Sequence, residues 1–280
     1  MGIAIAEHYH RLQMKQTKGY VLITGASTGI GRACAVYLGG LGFSVLAGVR
    51  KEEDVRAIEA AEPGIRGVIL DVSDSASVAA AAGKVAGIVG EEGLAGLVNN
   101  AGISVHGPVE HVPMSEWRRQ FEVNLFGQIA VTQVMLPLLR RRVEKSGRGT
   151  GRIVMMSSIA GLISQPIIAP YNASKYALEA VSDCLRLELR GQGIKVCLVE
   201  PGAIDTPIWA KAEANPGKFP ADHPARKLYA KAIDAVVDSA IKSAKSAIPA
   251  DVVAKVVGKC LTLKNPQARY LVGNDARVGA

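Results

Sequence analysis

Seven short apolar runs, at 20–24, 43–49, 66–70, 94–98, 151–157, 194–199 and 269–272, alternate with longer stretches whose apolar residues recur at helical spacing. The runs are rich in Val, Ile and Leu on successive positions, so both faces of each strand are expected to be covered, as in a parallel sheet layered with helices. Helices are predicted over 32–41, from a Ser73 or Asp74 cap to 89, and from Ser115 to the run Arg140-Arg141-Arg142. A further helix starts near Tyr171 and carries the apolar stripe Leu178, Val181, Leu185 and Leu189. Two more are predicted over 225–244 and 249–263, with Pro249 in a first turn that needs no N–H there. Strand and helix in alternation predict an α/β, doubly wound parallel sheet of about seven strands flanked by helices.

The 280 residues fit one α/β domain, expected over 18–280 behind an N-terminal extension at 1–17. The stretch 203–224 holds four prolines, Lys211, Glu213, Lys218, Trp209 and Phe219, and reads as a C-terminal substrate lid. The net charge of +8 is spread out except around Arg140 to Arg142, Lys145 and Arg148, and no aromatic residues interleave with it. That pattern argues against nucleic acid and for a solvated helix end. His8 and His10 stand in a polar leader, and no group of residues has metal-ligand spacing, so no metal is expected. Cys34, Cys184, Cys197 and Cys260 are far apart; the first three lie in apolar patterns and are expected as buried free thiols in a reducing compartment. The leader has no signal-peptide core and no run approaches the ~18 apolar residues of a membrane span, so a cytoplasmic protein is expected.

Candidate chemistry gathers where strands end. After the first strand comes Gly25-Ala26-Ser27-Thr28-Gly29-Ile30-Gly31, in which the glycines let the backbone approach a pyrophosphate and the helix N-terminus supplies N–H groups. Placed between a strand and a helix, it predicts a Rossmann-type nucleotide site. The second strand ends at Gly48-Val49-Arg50-Lys51, where NAD would require a carboxylate for its ribose. Arg50 is suited to a 2′-phosphate, so NADP(H) is favoured and NAD(H) stays open. Asp71 and Val72 end the third strand and Asn99-Asn100-Ala101-Gly102 the fourth, both at the carboxyl edge where such sheets bind ligands. Asn124 sits among apolar neighbours and needs partners. Tyr171 and Lys175, four apart on one helix face, place a phenol beside an ammonium that favours the phenolate, near the serine hydroxyls at 157 and 158. Such a set can exchange a proton with an oxygen whose carbon exchanges hydride.

These features, in this order and spacing, with Pro201-Gly202 after the sixth strand, resemble the short-chain dehydrogenase/reductase family over 18–273. The resemblance implies that Ser158, thirteen residues before Tyr171, is the catalytic serine, that Tyr171 is the acid/base, and that Lys175 binds the nicotinamide ribose and tunes Tyr171. It implies that Asn124 positions a water in a proton relay and that Asn99, with Ala101 and Gly102, lines the cofactor. Pro201 and Gly202 would turn the chain over the cofactor, Ile204 and Thr206 would meet its carboxamide, and Asp71 and Val72 its adenine. Thr28 departs from NADP-preferring relatives, which often carry a second basic residue there. The ending at 268–276 is similar to the branch of retinol, 17β-hydroxysteroid and 3-hydroxybutyrate-type dehydrogenases.

Ile163, Ile167, Ile168, Ile208, Trp209 and Phe219 give the expected pocket an apolar wall without an inner arginine or lysine, predicting a small-molecule ketone or secondary alcohol with lipophilic bulk. The alternatives are an NAD-dependent hydroxy-acid or sugar dehydrogenase of the same fold, or a nucleotide-sensing scaffold without turnover. The helices from Ser115 and Tyr171 are apolar beyond one sheet-facing stripe, so a homodimer or homotetramer is expected.

Overall fold

In the computed structural model, which describes residues 18–62, 64–207 and 222–279, the chain builds one parallel sheet with helices on both faces. The strands are β1 (Tyr20–Thr24), β2 (Ser44–Val49), β3 (Ile65–Ile69), β4 (Leu94–Asn99), β5 (Gly151–Met156), β6 (Ile194–Pro201) and β9 (Arg269–Val272). Their spatial order, β3-β2-β1-β4-β5-β6-β9, reverses direction between β1 and β4. At such a switch point the two connections leave in opposite directions and open a crevice at the strands' carboxyl ends.

Alternation within the strands explains the two cores. Val21 and Ile23 face one side and pack with α1 (Gly29–Gly40) and α9 (Ala250–Thr262) through Leu38, Val253 and Val257. Leu22 faces the other, with α3 (Ser75–Val89), α5 (Gly127–Ser146) and α6 (Ala169–Arg190), through Val85, Met135 and Leu178. The inner strands therefore lose water on both faces, at roughly 25 cal/mol per Å² of apolar surface. Asp74 caps α3 by accepting from the Ala76 N–H at 2.9 Å.

Several elements differ from the sequence reading. α1 starts at Gly29 rather than 32, so the last glycines of the turn belong to its first turn. A helix at α2 (Glu52–Ala61) was not expected; it turns Val55 and Ile58 onto the sheet. The long helix begins at Met114, after Pro113, and is α4 (Met114–Phe121), a π turn (Glu122–Phe126) and α5 in one continuous run. That 33-residue run is long and apolar enough to cross a membrane by length and composition, contrary to the expectation that none is; Val131, Met135 and Leu139 bury it against the sheet. Cys34, Cys197 and Cys260 are buried, but Cys184 is exposed, because α6 has apolar residues beyond its sheet-facing stripe. Arg141, Arg142 and Arg148 are pinned to the carbonyls of Gly90, Lys18 and Arg190 at the edge opposite the crevice.

After β6 the chain forms the two-residue β7 (Ile204–Asp205), paired with β8 (Ile248–Pro249). α7 (Pro224–Leu228) and α8 (Ala230–Ser246) precede β8, and α10 (Asn274–Gly279) follows β9. The lid residues Ile208, Trp209, Lys211, Glu213, Lys218 and Phe219, with the 1–17 extension, lie outside the described residues.

Candidate active site

The glycine turn is shaped for close approach. Gly25 and Gly29 have φ of 65° and 56°, a left-handed backbone that glycine adopts without strain. A Cβ on Gly31 would stand 2.3 Å from the Gly25 carbonyl oxygen and 2.5 Å from Asn100 Nδ2, so no other residue fits. Asn100 holds the turn: its Nδ2 donates to the carbonyls of Thr24 and Gly25 at 2.9 and 3.1 Å. Thr24 Oγ1 accepts from the N–H groups of Asn100 and Ala101, both at 2.9 Å. Ser27 and Ile30 are half-buried and Thr28 is exposed, with Thr28 extended before the helix.

From the other side, Thr206 closes on the same turn. A Cβ on Gly29 would meet Thr206 Cβ at 3.3 Å, so the segment after β6 and the turn after β1 form two walls of one crevice. Asp275 fixes that second wall by accepting from the Ala203 N–H at 2.7 Å, while the Gly202 N–H donates to the Val272 carbonyl at 2.9 Å. Pro201 is the last residue of β6, and Ile204 is buried in β7.

Along the crevice, Arg50 is exposed just past β2, close enough to Asp71 to act on its charge. Burial pushes the Asp71 carboxyl up, but the hydrogen bonds from the Ser73 hydroxyl and N–H, together with Arg50, outweigh it and hold the group below its ordinary value. Val72 is buried, and its carbonyl would be 2.4 Å from a Cβ on Gly127. Asn99 turns its side chain inward, donating to Thr132 Oγ1 at 2.8 Å and leaving Oδ1 unpartnered among the described residues. It thus faces the crevice only through its backbone. Gln128 donates to the Ala101 carbonyl, and Gly102 lies against Asn124.

Ser158, Tyr171 and Lys175 converge beyond the end of β5. The Ser158 hydroxyl lies close enough to the Tyr171 hydroxyl to act on its acidity. Ser158 Oγ also accepts from the Ala160 N–H at 3.2 Å and lies 3.4 Å from the Pro201 carbonyl, whereas Ser157 Oγ is buried without a partner among the described residues. Lys175 Nζ donates to the Met156 carbonyl at 2.7 Å and stands 5.7 Å from the centre of the Tyr171 ring. Tyr171 is half-buried. Burial pushes its phenol above its ordinary value, against the opposing Ser158 hydroxyl. The expected fall towards neutrality is therefore not produced by these side chains alone, because the burial of the phenol outweighs them. Burial also pushes Lys175 down to about 8, against the opposing charge of Glu179.

Asn124 sits in the π turn and is bonded on both sides of its amide. Its Oδ1 accepts from the Ile103 N–H at 2.8 Å, and its Nδ2 donates to the Ile103 carbonyl at 3.0 Å. Gln120 spans two residues of the same loop, its Oε1 accepting from the Val105 N–H at 2.7 Å and its Nε2 donating to the Ile103 carbonyl at 2.9 Å, and both amides donate to Ser174 Oγ at 3.3 Å. A π turn brings these side chains to one side of the helix, a placement common at functional sites. The loop after β4 is thus fixed beside Tyr171. Across from it, Ile167 is buried with φ of 67°, and its carbonyl accepts from the Gly107 N–H at 2.6 Å. His106 meets Ser104 Oγ at 2.7 Å, and burial pushes its imidazole down, towards the neutral form.

Sequence reasoning passed over Thr24, Asn100, Gln120, Ser174 and Asp275. Thr24, Asn100, Ser174 and Asp275 stood inside recognised motifs, but only their contacts reveal what they hold.

A family model described as short chain dehydrogenase matches residues 19–217. The NADPH-dependent 3-dehydrocapnine reductase of Ornithobacterium rhinotracheale is 38% identical, the match covering 90% of this chain and 87% of that one. The 17-beta-hydroxysteroid dehydrogenase type 6 of Bos taurus is 38% identical, over 92% of this chain and 81% of its own. Among solved structures, a short-chain dehydrogenase from Streptomyces avermitilis superposes with a TM-score of 0.78 at 30% identity, covering 95% of this chain and 91% of that one.

Proposed function

The chain belongs to the short chain dehydrogenase family of NAD(P)-dependent oxidoreductases, and from that premise we propose that it interconverts a lipophilic ketone and its secondary alcohol, using NADP(H) in preference to NAD(H). The observation that carries the reading is the convergence of Ser158, Tyr171 and Lys175 beside the glycine cradle. When bound, the nicotinamide dinucleotide supplies or accepts the hydride.

The chain's own residues supply the rest. Gly25, Ser27, Thr28, Gly29, Ile30 and Gly31 would hold the pyrophosphate with the N–H groups at the start of α1. Arg50 would take the 2′-phosphate, Asp71 and Val72 the adenine, and the Asn99 to Gly102 turn, Pro201, Gly202, Ile204 and Thr206 the remainder. In the reducing direction the Tyr171 O–H gives its proton to the carbonyl oxygen while Ser158 Oγ–H donates a hydrogen bond to that oxygen. Lys175 holds its positive charge beneath both and binds the ribose, and Asn124 serves a water-borne proton relay. Proton transfer by a positioned group contributes about 10²- to 10⁴-fold in rate.

NADP(H) is supported by Arg50 at the end of β2 and by the NADPH-dependent relative. A lipophilic substrate is supported by Val105 and Ile167 in the loops beside Tyr171 and by a neutral His106. The steroid-linked relative agrees with it. Turnover with NADPH across steroids, aryl ketones, C4 hydroxy acids and sugars tests the reading. Reduction of apolar ketones is expected; efficient turnover confined to charged small acids would overturn the substrate class.

A further inference from the structure

Behind Lys175 the protein buries more acid than it neutralises. Glu179 lies one helical turn further along α6, and Glu200, next to the last residue of β6, is 1% exposed. Both carboxylates reach for one guanidinium group. Arg269 Nε is 3.2 Å from Glu179 Oε2 and 3.3 Å from Glu200 Oε1, while its terminal nitrogen donates to Asp183 Oδ2 at 2.6 Å. Strand register explains the meeting: Arg269 pairs with Leu198, two residues before Glu200, so Arg269 and Glu200 share a sheet face.

The Arg269 Nε–H donates to Glu179 Oε2 and makes no hydrogen bond to Glu200. Glu179 Oε1 and Glu200 Oε1 are left buried without a hydrogen bond among the described residues. The charged groups acting on Glu200 are Glu179 and Asp183 from α6 and Arg269 from β9, with Arg186 reached through Asp183; Lys175, also on α6, is acted on by Glu179. Asp183 is partly exposed and has Arg186 as a second partner, so it is already balanced. Two buried carboxyls then divide one cation, and like charges so placed cannot both ionise readily; one keeps its proton and gives it to the other as a hydrogen bond.

We propose that Glu179 and Glu200 share one proton and act together as a positioning pair for Lys175, the charge left when that proton departs holding the buried lysine protonated. Burial and the neighbouring Glu179 push Glu200 up to about 7, and the Glu179 charge raises Lys175 against its own burial. As pH rises the pair therefore ionises first and strengthens the lysine's hold on its proton. The shared proton stands independently of any activity; its effect on turnover rests on the oxidoreductase reading.

Infrared pH titration of the full-length protein tests the proton directly. A protonated-carboxyl absorption that persists above about pH 6, where an ordinary glutamic acid is ionised, is expected in the wild type and absent in Glu200→Gln. Its absence from the wild type would overturn the proposal, whatever the variants or substrates do. The second arm is the pH profile of kcat/KM. Glu179→Gln is expected to move the alkaline limb to lower pH by about one unit and Glu200→Gln by less, since each removes negative charge near an ammonium. Asp183→Asn, which loosens Arg269 at a partly exposed position, should leave the limb in place. An unmoved limb in both glutamine variants, or an equal shift in Asp183→Asn, would make the pair a purely structural anchor.

Discussion

Lys175 donates to the carbonyl of Met156, the last residue of β5, at 2.7 Å. The contact ties the helix that carries Tyr171 to the strand that leads to Ser158, so the relative placement of all three depends on a lysine that is 4% exposed. Because burial has pushed that lysine down to about 8, its ammonium form is lost as pH rises through that value. The kcat/KM of the free enzyme is expected to decline on the alkaline side around there, and a profile flat to pH 10 would refute a working ammonium.

Tyr171→Phe should leave the fold and cofactor binding intact and cut kcat by about 10²- to 10⁴-fold, the usual contribution of a positioned proton donor. Circular dichroism and NADPH fluorescence would establish the first two; unchanged turnover would end the mechanism.

Arg50→Ala should weaken NADPH by about one to two decades, the loss of one charge-assisted contact of about 1.5 to 3 kcal/mol, with little change for NADH. Titration of both cofactors decides it. Equal weakening of the two would mean that Arg50 does not read the phosphate.

Stability should also depend on pH through Glu200. Its folded value, about 7, lies above the ordinary 4.5, so between those values the folded protein keeps a proton that the unfolded chain has released. Linkage then makes the protein lose stability as pH rises through this window. Melting temperatures between pH 5 and 7.5 should fall in the wild type more steeply than in Glu200→Gln, and parallel curves would contradict this.

Assembly is the remaining prediction. Met114, Phe126, Tyr176 and Leu187 stand exposed on the two helices expected to pair, Met114 and Leu187 by 61% and 60%. We expect a closed dimer or tetramer that covers them. Light scattering returning a single chain of 29.4 kDa at micromolar concentration would count against it.

The sheet was legible in the sequence because its strands are mostly apolar on both faces, a pattern independent of distant partners. α2 was not, since its acidic opening and two inward residues leave little periodicity to read. β7 and β8 owe their form to each other and to the Ile248 N–H bond with the Ala203 carbonyl. In the candidate site, residue types were readable but directions were not: Asn99 and Asn100 are adjacent, yet one points into the core and the other grips the glycine turn. The glutamate pair was out of reach because its members and Arg269 come from three separate elements.

The π turn at Glu122–Phe126 has a consequence for anyone comparing or editing this chain. It is one residue longer than the α-helical turn it replaces, and a residue turns an α-helix by about 100°. A single deletion within it would look harmless, even idealising, since it restores a regular helix. It would also rotate everything upstream by that angle, swinging Gln120 away from Val105 and the loop beside Tyr171. An alignment gap of one residue here marks a change of active-site geometry, whereas the same gap in an exposed loop would mark drift.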